Sequence, residues 1–535
     1  MTGVDNPLVI APIIVPLVGA AICLLFSQNN RVQRVVALIA GIIACLCSIA
    51  VLIANVQGGD NAVQVYRVGG YAVPFGVVLV ADMMASLFAV MGTTVVAAGL
   101  LYCLQCRDHS LTYPVFMPAF LGVGAGLSGS FYTGDVFTFF VFLELMVMSS
   151  VVMVAVSDNR LGLEAAIKYL FISGIGTMLL LLSIAAIYTT FGTLTMAHIA
   201  QELASGERPL LALPAAVMFM SALLVKSAVV PFHFWQPDFH TTAPTPVSGL
   251  LSSVVVKVGI YGIIRNNTLY FTQEAQFIQN ILIILGLIGI FFGGLSALRT
   301  WNAKRMLAYS TLGQVGFMLV AIGWGSPIAL VAAIIYIVNH AYIKSGMLML
   351  TGALSSRVHG HSSDIKDLEG AGRGYTLLSI LYLIGGLALA GVPPFNGFIS
   401  KLALVRSGVD AESWLILGLV IAGGILTLIY MTRTWQWIFQ RAPRQQHDAA
   451  PLPHATVEIE AHRPDSPLAP ALLLAFCVVL GIFAAPLIEM AQATVSQITQ
   501  PTIYTCAVLP PELLSAEAFD TCQALPRIAQ VPEVQ

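Results

Sequence analysis

LLVKSAVVPFHFWQPDFHTTAPTPVSGLLSSVVVKVG, residues 223–259, decides the fold. It opens in an apolar run that contains a lysine, Lys226, and breaks at Pro231. It then passes His233, Asp238 and His240, restarts at Pro244 and Pro246, and re-enters apolar sequence that carries a second lysine, Lys257. Proline donates no backbone hydrogen bond and displaces the carbonyl four residues back, so a helix stops at such a break and leaves free carbonyls. Inside a bilayer, broken backbone persists only where protein or a wet cavity covers it. A lysine in an apolar span costs roughly 2.5–3.5 kcal/mol on insertion scales. A stretch that carries both features twice is therefore read as a functional centre in a membrane.

The rest of the chain agrees. Of 535 residues, 58% are hydrophobic and 9% charged, against about 25% charged in an average soluble domain. The apolar residues fall in long runs near 7–26, 33–56, 82–104, 111–130, 132–156, 162–190, 210–230, 244–264, 277–298, 306–324, 327–353, 375–408, 413–440 and 468–491. These predict an all-α polytopic membrane protein with about fourteen spans. The first run follows no basic segment and is long enough to cross, so it reads as a transmembrane helix and not a cleaved signal. No basic cluster or nucleic-acid motif is present, which sets that class of partner aside. The eight cysteines offer no metal framework: Cys103 and Cys106 form a lone C-x-x-C with no second pair. Neither metal nor cofactor is expected. Cys506 and Cys522, in the polar tail, are candidates for a disulfide in an oxidising space.

With residues 27–32 in the cytoplasm, fourteen basic residues, Lys304 among them, fall on the inner side and five, Arg265 among them, on the outer. The inside bias places both termini outward in a multi-pass plasma-membrane protein. Gly69–Asp82, with alternating apolar residues and turn formers, reads as an outer hairpin, and 441–467 as a poorly ordered inner linker.

Five lysines (Lys168, Lys226, Lys257, Lys344, Lys401) and Glu144 lie inside apolar runs. A buried lysine can have its pKa drawn toward neutrality, and like charges at short range cannot both stay ionised cheaply. Lys226 and Lys257, in consecutive helices, could lie side by side and pass a proton. Snorkelling to a headgroup is the plainer reading, and is open to Lys226 near its helix end. Glu144, in FTFFVFLELMVM, has no polar neighbour in its own helix, and Lys226 is its natural partner; a protonated carboxyl used in packing is the alternative. Lys168 has Glu164 four residues earlier on one face, so a simple ion pair competes with a relay role. His340 and Lys344, in NHAYIKSGMLML, share a helical face; a histidine titrating near neutrality beside a lysine suits proton transfer, while a histidine bonded to backbone is the structural alternative. Lys401 ends AGVPPFNGFISK, after the break at Pro393 and Pro394. The echo of VVPFHFW in VPPFNGF, each beside a lysine, suggests two related units with broken helices.

These motifs resemble the antiporter-like subunits shared by respiratory complex I, membrane-bound hydrogenases and Mrp-type multisubunit cation/proton antiporters. The matching wording is FVFLELM, EAAIKYL, KSAVVPFHFWQPDFHTTAPTPVSGLL, KRMLAYSTLGQVG, NHAYIKS and GVPPFNGFISK, over about residues 80–440. The resemblance implies fourteen helices with two inverted five-helix repeats, each with a broken helix. The units are then 1–110 (helices 1–3 with the outer hairpin), 111–265 and 276–440 (the repeats), 441–467 (cytoplasmic loop), 468–491 (helix 14) and 492–535 (outward tail). It implies a proton relay of Glu144, Lys226, Lys257, His340, Lys344 and Lys401, with Lys168 and His233 as possible members. Length and wording look most like the D-type Mrp subunits. The implied function is proton translocation within a hetero-oligomeric antiporter that exchanges protons for sodium or a similar monovalent cation. An N- or M-type proton-pumping subunit of an NADH:quinone oxidoreductase or hydrogenase is the alternative.

Overall fold

The structure is a computed structural model that describes residues 3–59, 61–71, 73–204, 209–272, 275–358, 361–442 and 464–524. The helices are α1 (Ala11–Leu25), α2 (Asn30–Gly58), α3 (Met83–Gln105), α4 (Phe116–Tyr132), α5 (Val136–Ala155), α6 (Arg160–Phe191), α7 (Met196–Ala204), α8 (Ala212–Lys226), α9 (Trp235–Thr242), α10 (Thr245–Leu250) and α11 (Val256–Leu269). They continue with α12 (Ala275–Arg299), α13 (Ala303–Trp324), α14 (Pro327–Ser355), α15 (Thr376–Ala390), α16 (Asn396–Asp410), α17 (Trp414–Trp435), α18 (Leu468–Ile482), α19 (Ala485–Ile498), α20 (Pro501–Val508) and α21 (Ala516–Ala524). Each of the fourteen apolar runs carries helix. Among the described residues ten helices are by themselves long and apolar enough to cross a bilayer, and α18 with α19, bent by 79°, makes an eleventh. A count of fourteen crossings rests on the sequence alone.

Both expected breaks are present. Helix α8 stops at Lys226 and α9 begins at Trp235; α15 stops at Ala390 and α16 begins at Asn396. The α10–α11 span is wholly buried, and α13 and α14 are nearly so. The outer helices present apolar side chains outward, as with Phe171, Ile175, Met178 and Leu182 on α6. Lipid tails are as apolar as leucine, so helix association in a bilayer relies on close approach of small residues. Helices α12 and α13 follow that rule: a Cβ on Gly316 would lie 2.4 Å from Gly286 O, and one on Gly293 would lie 2.5 Å from Gly313 N.

The hairpin is larger than expected. Its first strand, β2 (Val63–Arg67), starts before Gly69 and pairs antiparallel with β3 (Val78–Ala81), while β1 (Gly3–Asp5) joins β2 in parallel. This sheet and α20 mark one end of the bundle, the tail end. There Arg265, at the last turns of α11, pairs through both terminal nitrogens with Asp82, and Gln497 of α19 bridges Met83 N and Ala62 O. Arg265 is buried, which corrects its assignment to an outer loop. Cys506 and Cys522 are bonded, with Cα atoms 5.5 Å apart. At the opposite end Asp465 accepts from Tyr102 Oη at 2.8 Å and from Arg107 N at 3.2 Å, tying α3 to the start of α18. Most of the inner linker, 443–463, lies outside the described residues.

Candidate functional site

Three helices build the first part of the site. Lys226, the last residue of α8, donates to Glu144 Oε1 of α5 at 2.7 Å, to Ser173 Oγ of α6 at 2.7 Å, and to Thr177 Oγ of α6 at 3.0 Å. Thr177 Oγ is also 2.6 Å from Glu144 Oε1. The side chains of Lys226 and Glu144 are 3% and 19% exposed. A lysine that snorkelled to the headgroups would not be 3% exposed with three partners from two other helices, so Lys226 and Glu144 form an ion pair inside the bundle. Removing one partner of such a pair costs about 3–5 kcal/mol, because the other charge is left without compensation.

Lys257 is fully buried, and its amine donates to Ser252 O at 2.7 Å. That carbonyl belongs to a widened π-helical turn, Leu251–Val255, which joins α10 to α11. Such a turn breaks the regular hydrogen-bond ladder and is frequent at functional sites. A Cβ on Gly259 would lie 2.1 Å from Ser227 Oγ, so glycine there lets the two lysine-bearing segments close up. The electrostatic neighbour of Lys257 is Lys344, while that of Lys226 is Glu144.

His340 and Lys344 share one face of α14 and are both buried. Neither nitrogen of His340 nor the Lys344 amine has a hydrogen-bond partner among the described residues. His340 lies within the field of Lys257 and Lys344. The alternative of a histidine bonded to backbone is not what the geometry gives. Lys401, on α16, turns back to the second break and donates to Ala390 O at 2.7 Å, with its amine 5.4 Å above the Phe317 ring. The break freed that carbonyl, as the paired prolines foretold. Gly391 makes the approach possible: its φ is +83°, and a Cβ there would lie 2.5 Å from Lys401 Cδ.

Two expected members stand apart. Lys168 pairs with Glu164 at 2.7 Å and Asp238 at 2.9 Å, and its side chain is 42% exposed. It sits two turns into α6. Arg305 reaches the same Asp238 at 3.1 Å. His233, in the turn between α8 and α9, packs on Phe292 with ring centroids 4.6 Å apart.

The structure adds groups to the set. His240 of α9 is fully buried, has both ring nitrogens without a hydrogen-bond partner among the described residues, and lies within the field of Lys257, Lys304 and Lys344. Lys304 is buried near Ala243 O, not on the inner surface where counting of loop charges put it. Ser173 and Thr177 complete the Lys226 cradle; one turn apart on α6, they show only as small polar residues in an apolar run. Among the described residues no group of three histidine, cysteine or acidic side chains is placed to hold a metal. What the arrangement can do chemically is accept, hold and pass protons.

Residues 133–427 match the family described as NADH:quinone oxidoreductase/Mrp antiporter, transmembrane. This chain belongs to that family. It is 30% identical over 504 residues to the D-type subunit of the Na+/H+ antiporter of Alkalihalophilus pseudofirmus, covering 94% of this chain and 99% of the relative. It is also 30% identical over 434 residues to the N-type subunit of the NADH-quinone oxidoreductase of Desulforudis audaxviator, covering 79% of this chain and 85% of that one. A chain in the structure of the Mrp complex from Dietzia sp. superposes with a TM-score of 0.84 at 23% identity, over 94% of this chain and 99% of the other, which gives the fold. The family match spans the Glu144–Lys226 pair, the buried centre and Lys401, and the relative matched over 99% of its length is a D-type antiporter subunit.

Proposed function

We propose that this chain is the proton-conducting subunit of a multisubunit Na+/H+ antiporter in the plasma membrane, where it exchanges cytoplasmic cations for outside protons. The observation that carries the reading is the buried cluster of Lys257, His240, His340 and Lys344. The same fold holds an ion pair at one break, Glu144–Lys226, and a lysine at the other, Lys401. Charges without counter-charges in a low-dielectric interior are costly, so such groups are retained where they serve an ion path.

In this reading protons move along Glu144, Lys226, Lys257, His340, Lys344 and Lys401, with His240 beside the central step and water filling the remaining gaps. Opening of the Glu144–Lys226 pair changes the field at the next amine, and a proton gained there repels the proton beyond it. Each transfer is driven by a neighbour's change of charge. The other subunits of a hetero-oligomeric complex supply the cation path or share it.

Lys226→Ala and Glu144→Ala are expected to abolish sodium-driven proton movement in everted vesicles while the protein stays in the membrane. Exchange that survives in assembled variants would contradict the relay. A second reading, a coupling subunit of a redox complex, is favoured by the match to the N-type oxidoreductase subunit, but that match covers less of both chains. Genes beside this one separate the two: small antiporter subunits for the first, iron–sulfur and flavin subunits for the second.

A further inference from the structure

A groove of about 440 Å3 opens between α14, α16 and α19 at the tail end of the bundle. Its chemistry is graded along its length. Ile335, Ile399 and Ile488 line the deep end, and Arg406, Ser496 and Thr499 line the end nearest the tail. On α14 its lining runs from Pro327 to Ile335, about 12 Å at 1.5 Å per residue. The Arg406 side chain is exposed and makes no ion pair or hydrogen bond among the described residues, although Asp410 lies one turn away. Through Thr499 the rim adjoins a second cavity of about 390 Å3, lined by Asn267, Thr268, Thr272 and Gln279. In that cavity the Asn267 side chain is nine-tenths buried, and both its polar atoms lack hydrogen-bond partners among the described residues.

We infer that this groove binds one anionic phospholipid: an acyl chain in the apolar end, the phosphate on Arg406, and headgroup hydroxyls reaching the neighbouring polar cavity. The charge and the apolar depth both match that ligand, since basic sites between membrane helices recognise acidic headgroups. The bound chain also covers the flank of the helices that carry His340, Lys344 and Lys401, sealing them from stray water. That consequence rests on the relay reading; the binding site does not.

The test uses the assembled complex. A photoreactive phenylalanine analogue placed at Leu402 is expected to capture phosphatidylglycerol or cardiolipin, identified by mass spectrometry. Arg406→Gln, and separately Val331→Trp, which fills the groove, are expected to lower the anionic lipid retained through purification about tenfold, a change of about 1.4 kcal/mol in binding. Capture of another subunit's polypeptide at Leu402, capture of no lipid, or unchanged lipid retention in both variants would overturn the proposal. The same capture in the transport-dead Glu144→Ala background separates this outcome from a failure of the relay.

Discussion

The two helix breaks answer one problem in different ways. At the first, a lysine that ends its helix is held by a carboxylate and two hydroxyls from two other helices. At the second, a lysine in the helix after the break is held by a backbone carbonyl that the break set free, under an aromatic face. The first lysine has a counter-charge and the second has only dipoles. A buried amine with a carboxylate partner is a pair that can open and close, whereas an amine on a carbonyl can lose its proton without stranding an opposite charge. The difference suits a path with a switch at one end and an exit at the other.

The comparison can be broken by stability measurements on the purified complex. Glu144→Gln leaves the Lys226 amine without its counter-charge and is expected to destabilise by about 3–5 kcal/mol. Lys401→Met leaves the Ala390 carbonyl without its partner but strands no charge, and is expected to cost about 1–3 kcal/mol. Equal losses in thermal unfolding would erase the distinction between the breaks.

The next effect is expected at Gly391. Alanine there strains a backbone at φ +83° and presses on the Lys401 stem, a strain of order 1–3 kcal/mol. Proton exchange is expected to fall roughly tenfold with Glu144–Lys226 intact. A wild-type rate would show that the Lys401 position is not set by the turn. The smallest effect belongs to Lys168→Ala. This is an exposed lysine with two exposed or half-exposed partners, and such pairs contribute about 0–1 kcal/mol. Exchange is expected within about twofold of normal, and a complete loss would bring Lys168 into the path.

Much of this was legible before any coordinates. Prolines at 231, 393 and 394 located both breaks, because the missing N–H is a local fact. The Glu144–Lys226 pair followed from the cost of an unpaired carboxylate in an apolar run. The influence of Lys344 on Lys257 was not legible, because the helix bringing Lys344 is distant in sequence. His240 stood in the quoted stretch, but its role depends on α13 and α14 returning beside it. Lys304 and Arg265 were misplaced for a different reason. Hydropathy ends a span at the first charge, so a buried charge at a helix end is counted with the loop. The Asp82–Arg265 pair then had no signal linking its members across 183 residues.

The central claim is that the buried amines exist to move protons and not to hold the fold. Lys344 tests it most directly, since its amine has no hydrogen-bond partner among the described residues. Lys344→Met keeps the volume and removes the charge. The assembled complex is expected to be as stable as the original or more so, with proton exchange in proteoliposomes reduced by at least roughly a hundredfold. A destabilised complex that still exchanged protons near the normal rate would contradict the claim.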